Sequence, residues 1–133
     1  MQYVDSSALA KRYVQEPDSA QATALLDADR EWLTSAVTEV EVRRVLAFRV
    51  PPARLADVRS RFLRDMERMA VVAADATTLG LAASLAEATG VRSLDAVHLA
   101  SMQRLASRTM RLLTFDVRMA AAARGLGISV VGA

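Results

Sequence analysis

Short apolar runs alternate along this chain with longer stretches that repeat apolar residues at the period of an amphipathic helix. The runs typical of strands cover residues 1–4, 32–35, 70–73, 110–115 and 128–131. The stretches typical of helices cover residues 8–14, 19–28, 37–48, 54–69, 76–88, 94–107 and 116–124. Strands that are separated by helices imply right-handed crossovers and a mostly parallel sheet with both faces covered. We therefore predict a single α/β domain over residues 1–133, with a central sheet of four or five strands flanked by helices.

The composition supports a folded domain and excludes several kinds of site. Of the 133 residues, 53% are hydrophobic and 24% are charged, which is enough apolar side chain to build a core. Cysteine is absent and histidine occurs once, so thiolate zinc sites, iron–sulfur clusters, disulfides and thiol nucleophiles are excluded. The absence of cysteine fits a reducing compartment, the first residues lack a signal-peptide pattern, and every apolar run is too short to span a bilayer. We therefore expect a cytoplasmic protein that has no membrane partner.

Two aspartates, Asp5 and Asp116, follow predicted strands directly. Ligands of an open parallel sheet bind beyond the carboxyl ends of its strands, so both carboxylates are candidates for a site there. Each aspartate also precedes a predicted helix, where Asp is a favourable N-cap residue. Taken singly, the N-cap is the favoured interpretation of either residue.

The helix predicted over residues 37–48 carries two glutamates that point in different directions. Glu39 is placed beside Arg43, four residues on, in the order that favours an exposed ion pair. Glu41 instead falls in a sector of apolar side chains, namely Val37, Val45 and Phe48. An unpaired carboxylate is costly to bury, by roughly several kcal/mol. Either Arg44 neutralises Glu41 one turn on, or other acids and a cation converge on it.

Asp95 lies at the start of the helix predicted over residues 94–107 and shares its inner stripe. The apolar members of that stripe are Leu99, Met102 and Ala106. As an N-cap, for which Ser93 competes, Asp95 would need no further explanation. His98 follows one turn later, and a lone histidine in such a place is more often a hydrogen-bonded core residue than a ligand. We therefore leave His98 out of the candidate catalytic set.

The candidate acids are Asp5, Glu41, Asp95 and Asp116. They would repel one another if they converged, because no basic residue is evident as a partner for each. A divalent cation resolves this repulsion, and all-oxygen ligands favour Mg²⁺ or Mn²⁺ over zinc. Such an ion lowers the pKa of a bound water and stabilises the leaving oxygen of an in-line displacement at phosphorus. Ser6 and Thr114 flank two of the acids and are candidates for orienting a carboxylate or a water, although hydroxyls are also common in caps.

Four segments spread over nearly the whole chain contain a recognisable order of residues. They are YVDSSALAKRY at 3–13, with Glu16 and Pro17 after it, SAVTEVEV at 35–42, LDAVHLA at 94–100 and LTFD at 113–116. This order resembles PIN-domain proteins of the VapC toxin type. The family's acids correspond to Asp5, Glu41, Asp95 and Asp116. Glu41 lies six residues after Ser35, where the family places its glutamate, in agreement with the choice of Glu41 over Glu39.

The resemblance implies a PIN-like three-layer fold and an Mg²⁺- or Mn²⁺-dependent endoribonuclease that acts on structured RNA such as tRNA or ribosomal RNA. It also implies the toxin role in a type II toxin–antitoxin pair, a homodimer, and inhibition by a VapB-type antitoxin whose C-terminal segment lies across the active-site groove. Our hypothesis for the mechanism is that Asp5, Asp95 and Asp116 hold the metal, while Glu41 completes a second or water-mediated site.

The basic residues give a weaker prediction than the acids. A stripe of arginines at intervals of seven residues is a candidate for contacts with phosphate groups: Arg54, Arg61 and Arg68. Because Asp57 and Asp65 lie among these arginines, a solvated helix face or the rim of a dimer is the favoured interpretation. Lys11 is expected to be a surface residue of the first helix.

Two other classes of function are compatible with acids at the carboxyl edge of a parallel sheet. A receiver-type phosphoacceptor would need a lysine after a late strand, and the chain has no lysine beyond Lys11. A non-catalytic PIN-like binding or complex-partner module with an acidic pocket remains an alternative. Cleavage of RNA by the isolated chain, beside an acid-to-amide variant, distinguishes these classes.

Overall fold

The computed structural model describes residues 1–105 and 110–133, and its elements alternate in the predicted order. The strands are β1 (Gln2–Val4), β2 (Trp32–Ser35), β3 (Ala70–Val72), β4 (Arg111–Thr114) and β5 (Ser129–Gly132). The helices are α1 (Ser6–Ala10), α2 (Ser19–Ala28), α3 (Val37–Arg49), α4 (Pro52–Met66), α5 (Ala76–Thr89), α6 (Ser93–Arg104) and α7 (Val117–Gly125). The predicted α/β class is therefore confirmed.

The five strands form one parallel sheet in the order β3-β2-β1-β4-β5. In the centre of the sheet, Tyr3 of β1 lies opposite Leu33 of β2 on one side and Leu112 of β4 on the other. The strand order changes direction between β1 and β4, so the connections leave these two neighbours towards opposite sides. The carboxyl ends of β1 and β4 therefore border the crevice in which open parallel sheets bind their ligands.

Helices cover both faces of the sheet, and each face has its own apolar core. Because successive side chains of a strand point to opposite faces, Tyr3 and Leu112 enter one core while Val4 and Leu113 enter the other. The first core is completed by α5, α6 and α7, and the second by α1 to α4. This is the predicted three-layer arrangement.

Most predicted boundaries differ from the observed ones by one to three residues, and two differences matter for the site. Helix α1 begins at Ser6 rather than Ala8, because Asp5 caps it, and it ends at Ala10. Helix α4 ends at Met66, so Arg68 lies beyond it rather than on a continuous helical stripe. The end of the helix predicted over 94–107 lies partly outside the described residues, as does Ala106 of its stripe. No described helix has both the length and the apolar character needed to cross a membrane.

Candidate active site

Asp5 follows β1 directly and is the N-cap of α1, as the cap interpretation predicted. Its Oδ1 accepts hydrogen bonds from the Ala8 N–H at 3.1 Å and the Ser7 hydroxyl at 2.8 Å, and its Oδ2 accepts one from the Thr114 hydroxyl at 3.0 Å. The residue is only 3% exposed. Burial raises the pKa of the Asp5 carboxyl group above its ordinary value, although these hydrogen bonds act in the opposite direction. Asp5 is therefore a buried carboxylate whose charged form a nearby cation would stabilise.

Asp116 lies at the same edge of the sheet, because β4 is the neighbour of β1. Thr114 connects the two aspartates: its hydroxyl donates to Asp5 and accepts a hydrogen bond from the Asp116 N–H at 3.0 Å. Asp116 is the N-cap of α7, and its Oδ1 accepts from the N–H groups of Arg118 at 2.8 Å and Met119 at 3.0 Å. Both predicted strand-end acids thus border the crevice between β1 and β4.

Arg92, the residue before α6, lies between Asp95 and Asp116. Its Nε donates to Asp95 Oδ2 at 2.8 Å, and its Nη2 donates to Asp116 Oδ2 at 2.5 Å. The pKa of Asp116 lies below its ordinary value, because hydrogen bonds from Met119, Arg92 and the neighbouring backbone outweigh the opposing effect of burial. Neither Asp95 nor Ser93 is the N-cap of α6; Asp95 lies in its first turn.

The expectation that the acids lack evident basic partners is therefore wrong for two of them. Arg92 was missed in the sequence, although its position three residues before Asp95 is a spacing at which oppositely charged side chains meet. Its second contact, with Asp116, depends on the packing of α6 beside the end of β4 and has no signal in the sequence.

Glu41 on α3 contacts the one histidine of the chain, which lies on α6. Its Oε2 is 2.7 Å from His98 Nε2, and His98 Nδ1 is 3.0 Å from the hydroxyl of Tyr3 on β1. His98 is 1% exposed and Tyr3 is fully buried. The prediction that His98 is a hydrogen-bonded core residue is confirmed.

The apolar sector predicted around Glu41 is not the buried face of α3. That face consists of Thr38, Val42 and Leu46. Phe48 is exposed, and Arg44, the predicted partner of Glu41, lies over its ring at 5.3 Å from the centroid. Glu39 forms the predicted exposed pair with Arg43 at 2.9 Å. Glu41 is still the less exposed glutamate, with 21% of its side chain accessible against 43% for Glu39.

Thr114 and Arg92 connect Asp5, Asp116 and Asp95 by hydrogen bonds, whereas Glu41 bonds to His98 and not to the other three acids. Within residues 1–105 and 110–133, no three acidic or histidine side chains are grouped closely enough to hold a metal ion in this arrangement. In this arrangement Arg92 pairs with Asp95 and Asp116, and His98 bonds to Glu41. The donor chemistry nevertheless fits Mg²⁺ or Mn²⁺, since the available ligands are carboxylate oxygens and include the buried carboxylate of Asp5.

The hydroxyl that supports Asp5 from its own helix is that of Ser7, not Ser6. Ser7 donates to both carboxylate oxygens of Asp5 and accepts a hydrogen bond from the Phe115 N–H at 2.8 Å. Ser6 lines the adjacent cavity instead. Two consecutive serines follow Asp5 in the sequence, and only the position of β4 selects between them. Thr114 contacts the Asp5 carboxylate from that strand.

A cavity of about 510 Å³ opens beside these residues. Its polar and aromatic lining comes from Ser6, Ser7, Lys11, Glu16, Glu41, Arg44 and Phe115. It gives Glu41 access to solvent and brings two basic side chains and one aromatic ring to the same opening.

Lys11 is not the surface residue that was expected, since only 11% of its side chain is exposed. Its ammonium group pairs with Glu16 at 2.5 Å and Asp18 at 2.7 Å, and lies 5.1 Å from the centre of the Phe115 ring. Although burial acts to lower the pKa of Lys11, the hydrogen bonds to both carboxylates raise it above its ordinary value. Lys11 therefore ties the end of α1 to the loop that follows.

The predicted arginine stripe lies on the surface. Arg54 and Arg61 are exposed on α4, and Arg68 is exposed beyond its end. Arg61 lies over the ring of Tyr13, and Asp65 contacts Tyr13 and Arg12 rather than a stripe arginine. The exposure is compatible with a solvated face, a dimer rim or phosphate contacts, so the role of the stripe stays a prediction.

Comparison with known proteins agrees with this geometry. The sequence profile described as PIN domain matches residues 2–125. Ribonuclease VapC46 of Mycobacterium tuberculosis is 38% identical over 129 residues, which cover 97% of this chain and 95% of that protein. A toxin–antitoxin complex from Klebsiella pneumoniae has a TM-score of 0.72 at 18% identity, over 99% of this chain and 97% of that chain. Mycobacterium tuberculosis VapC20, described as a Sarcin-Ricin loop cleaving toxin, has a TM-score of 0.73 at 17% identity, over 92% of this chain and 95% of that chain.

The parallel sheet with acids beyond its central strands, together with the profile match over nearly the whole chain, defines the class: the chain belongs to the PIN-domain family. Its 38% identity to VapC46, over 97% of this chain, places it in the VapC group of that family. The resemblance inferred from the four sequence segments is therefore confirmed.

Proposed function

We propose that this chain is a metal-dependent endoribonuclease that hydrolyses phosphodiester bonds of structured RNA, tRNA or ribosomal RNA, as the toxin of a type II toxin–antitoxin pair. The observation that carries the proposal is the pair of strand-end carboxylates, the buried Asp5 and the partly exposed Asp116, joined through Thr114 at the crevice between β1 and β4. The relationship to VapC46, whose name describes a ribonuclease, supports this chemistry.

Asp5, Asp95 and Asp116 would hold Mg²⁺ or Mn²⁺, and Glu41 would complete a second or water-mediated position. When bound, the ion supplies an activated water and stabilises the charge that develops at the scissile phosphate. Arg92 neutralises Asp95 and Asp116 when the acids are without a metal, and 56% of its side chain is exposed. The Arg92 side chain can therefore move away from both carboxylates into solvent without disrupting the packing of an apolar core.

The remaining residues of the chain hold the acids and receive the substrate. Ser7 and Thr114 orient the Asp5 carboxylate, so that little reorganisation is needed when a ligand binds. In the cavity, Arg44 offers charge to a phosphate group and Phe115 offers an aromatic face. With 5% aromatic residues in the chain, recognition would depend on RNA shape and backbone more than on stacked bases.

Partners follow from the same proposal. A VapB-type antitoxin would cover the active-site groove, and the likeness to the Klebsiella pneumoniae toxin–antitoxin complex supports such a partner. We also propose a homodimer, in line with the family. Helix α3 exposes Val40 and Phe48, apolar side chains that an assembled partner would remove from water.

The test is RNA cleavage by the purified chain, free of antitoxin, with Mg²⁺ or Mn²⁺ and with a chelator. We expect metal-dependent cleavage of a structured RNA and its loss in Asp95→Asn, which removes one charge and keeps the shape of the side chain. Asp57→Asn, which changes an exposed acid of α4, is the matched control and should cleave like the unaltered chain. Full cleavage by Asp95→Asn would overturn the site, and a folded chain that cleaves no RNA would favour the non-catalytic partner module.

A further inference from the structure

In the part of the chain that the structure describes, Glu41 is the one candidate acid whose carboxylate bonds neither to the backbone nor to a side chain of its own helix turn. Asp5 and Asp116 are N-caps, fixed by the first N–H groups of their helices, and Asp95 pairs with Arg92 within its own helix turn. Glu41 has one more side-chain torsion than an aspartate and lies in the middle of α3, where the backbone N–H groups are already used. A neighbouring side chain must therefore restrict the orientation of its carboxylate.

His98 provides this restriction from the adjacent helix. Its Nε2 lies 2.7 Å from Glu41 Oε2, and its Nδ1 lies 3.0 Å from the Tyr3 hydroxyl. The rings of Tyr3 and His98 meet edge to face, with planes at 83° and centroids 6.0 Å apart. Three elements, β1, α6 and α3, are thus joined by one buried line of hydrogen bonds.

The donor and acceptor roles along this line follow from its two ends. An ionised carboxylate has no proton to donate, so His98 Nε2 must donate to Glu41. With Nε2 donating to Glu41, Nδ1 is the ring nitrogen that can accept, and the Tyr3 hydroxyl lies 3.0 Å from it as the donor. Tyr3 and Glu41 therefore favour the same His98 tautomer, the one that can hold Glu41.

We propose that His98, bonded to Tyr3 through Nδ1, is a positioning residue that holds the Glu41 carboxylate at the cavity in the orientation the metal site uses. This inference rests on the proposed function and assigns a role to two buried residues outside the acid set. A histidine with only a packing role would be buried at the same place without acting through Glu41.

The first test separates positioning from packing. In His98→Leu we expect the affinity for Mn²⁺, measured by electron paramagnetic resonance without RNA, to fall by about 10- to 100-fold, as for other residues that orient metal ligands. The kcat should fall similarly while KM changes little. His98→Gln, whose amide N–H can replace Nε2, should recover most of both. Val97→Ala, which truncates a buried neighbour on α6, should lower stability and leave Mn²⁺ affinity unchanged.

A double-variant cycle tests whether His98 acts through Glu41. When Glu41→Gln is already present, His98→Leu should cause no further loss of Mn²⁺ affinity or kcat. Losses that multiply independently would overturn the proposal, because they would show that His98 acts elsewhere. Equal defects in His98→Gln and His98→Leu would also overturn it.

The tautomer itself is measurable without any activity. Because the chain has one histidine, ¹⁵N labelling of histidine gives a single ring in the NMR spectrum. We expect a proton on Nε2 and none on Nδ1, and a weaker preference in Tyr3→Phe, in which only Glu41 still selects the tautomer. A proton on Nδ1 in the unaltered chain would overturn the proposal. A chain that shows the expected tautomer but neither binds Mn²⁺ nor cleaves RNA would contradict the proposed function instead.

Discussion

Asp5 and Asp116 occupy equivalent places in the fold, yet the pKa values of their carboxyl groups shift in opposite directions. Each follows one of two neighbouring strands and caps the next helix. Burial raises the pKa of Asp5, whose partners are hydroxyl and N–H groups, while Arg92 and two N–H groups help to lower the pKa of Asp116. Two caps that look alike in the sequence therefore differ in their surroundings, because Asp116 pairs with an arginine while Asp5 is buried among hydroxyl and N–H groups.

The comparison of Asp5 with Asp116 is tested most strongly by the effect of replacing each aspartate on the rate of RNA cleavage. We expect both Asp5→Asn and Asp116→Asn to lower the cleavage rate by about two orders of magnitude or more, because each removes a charge that would hold the metal. The measurement is the initial rate of RNA cleavage at saturating Mg²⁺. Asp57→Asn serves again as the control, and near-normal cleavage by either variant would remove that aspartate from the site.

The second effect concerns the cation that distinguishes the two caps. In Arg92→Gln we expect the protein without metal to have a slightly lower unfolding free energy, because Asp95 and Asp116 lose their shared partner. Added Mg²⁺ should restore more stability in this variant than in the unaltered chain, because Arg92 no longer competes for the carboxylates.

Arg104 offers a matched control for Arg92. It pairs with Asp75, the N-cap of α5, at 2.8 Å and away from the crevice. Arg104→Gln should lose a similar amount of stability with no added response to Mg²⁺. If Mg²⁺ stabilised the two variants equally, Arg92 would not compete with the metal for the carboxylates.

The third effect is the pH dependence of stability in the presence of a chelator. The lowered pKa of Asp116 contributes stability that is present above its ordinary value of 3.8 and is lost as the pH falls through the folded-state pKa. The raised pKa of Asp5 contributes stability below 3.8 that is lost as the pH rises through its folded-state pKa.

At pH 7, therefore, Asp5→Asn should raise the unfolding free energy, since asparagine keeps the cap without a buried charge. Asp116→Asn should lower it by about 1 kcal/mol, and both differences should shrink towards pH 3. Chemical denaturation at a series of pH values measures this, and shifts of the same sign would show that the two caps share one environment.

The smallest effect separates the two serines after Asp5. Ser7→Ala should lose about 1 kcal/mol of stability, because it removes a donor to the buried Asp5 and an acceptor for the Phe115 N–H. Ser6→Ala should stay within about 0.5 kcal/mol of the unaltered chain. Thermal unfolding of the two variants side by side is sufficient, and a larger loss from Ser6→Ala would contradict the described hydrogen bonds.

The sequence predicted the strands and helices well, because their signals are local. Apolar runs and helical periodicity place β1 to β5 near their observed bounds, and the two cap aspartates mark the starts of α1 and α7. The helical wheel of α3 was less reliable. It placed Phe48 on the buried face, whereas the packing of α3 buries Thr38, Val42 and Leu46.

The contacts between charged and polar side chains were not predictable in the same way. Lys11 was expected at the surface, but Glu16, Asp18 and Phe115 enclose it, and only the first two are near it in the chain. The two partners of His98, Tyr3 and Glu41, lie far from it in sequence on β1 and α3. No local pattern describes contacts of this kind, since they depend on how helices pack against the sheet.

Residue types and their order along the chain therefore determined by themselves the α/β class, the strand-end positions of Asp5 and Asp116, and the membership of the PIN-domain family. These features depend on local periodicity, capping and recurrent motifs. The tertiary structure alone decided which charges meet: Arg92 with Asp95 and Asp116, and His98 with Glu41. The physical reason is that burial and pairing, which set the state of each carboxylate, arise only when separate elements pack together.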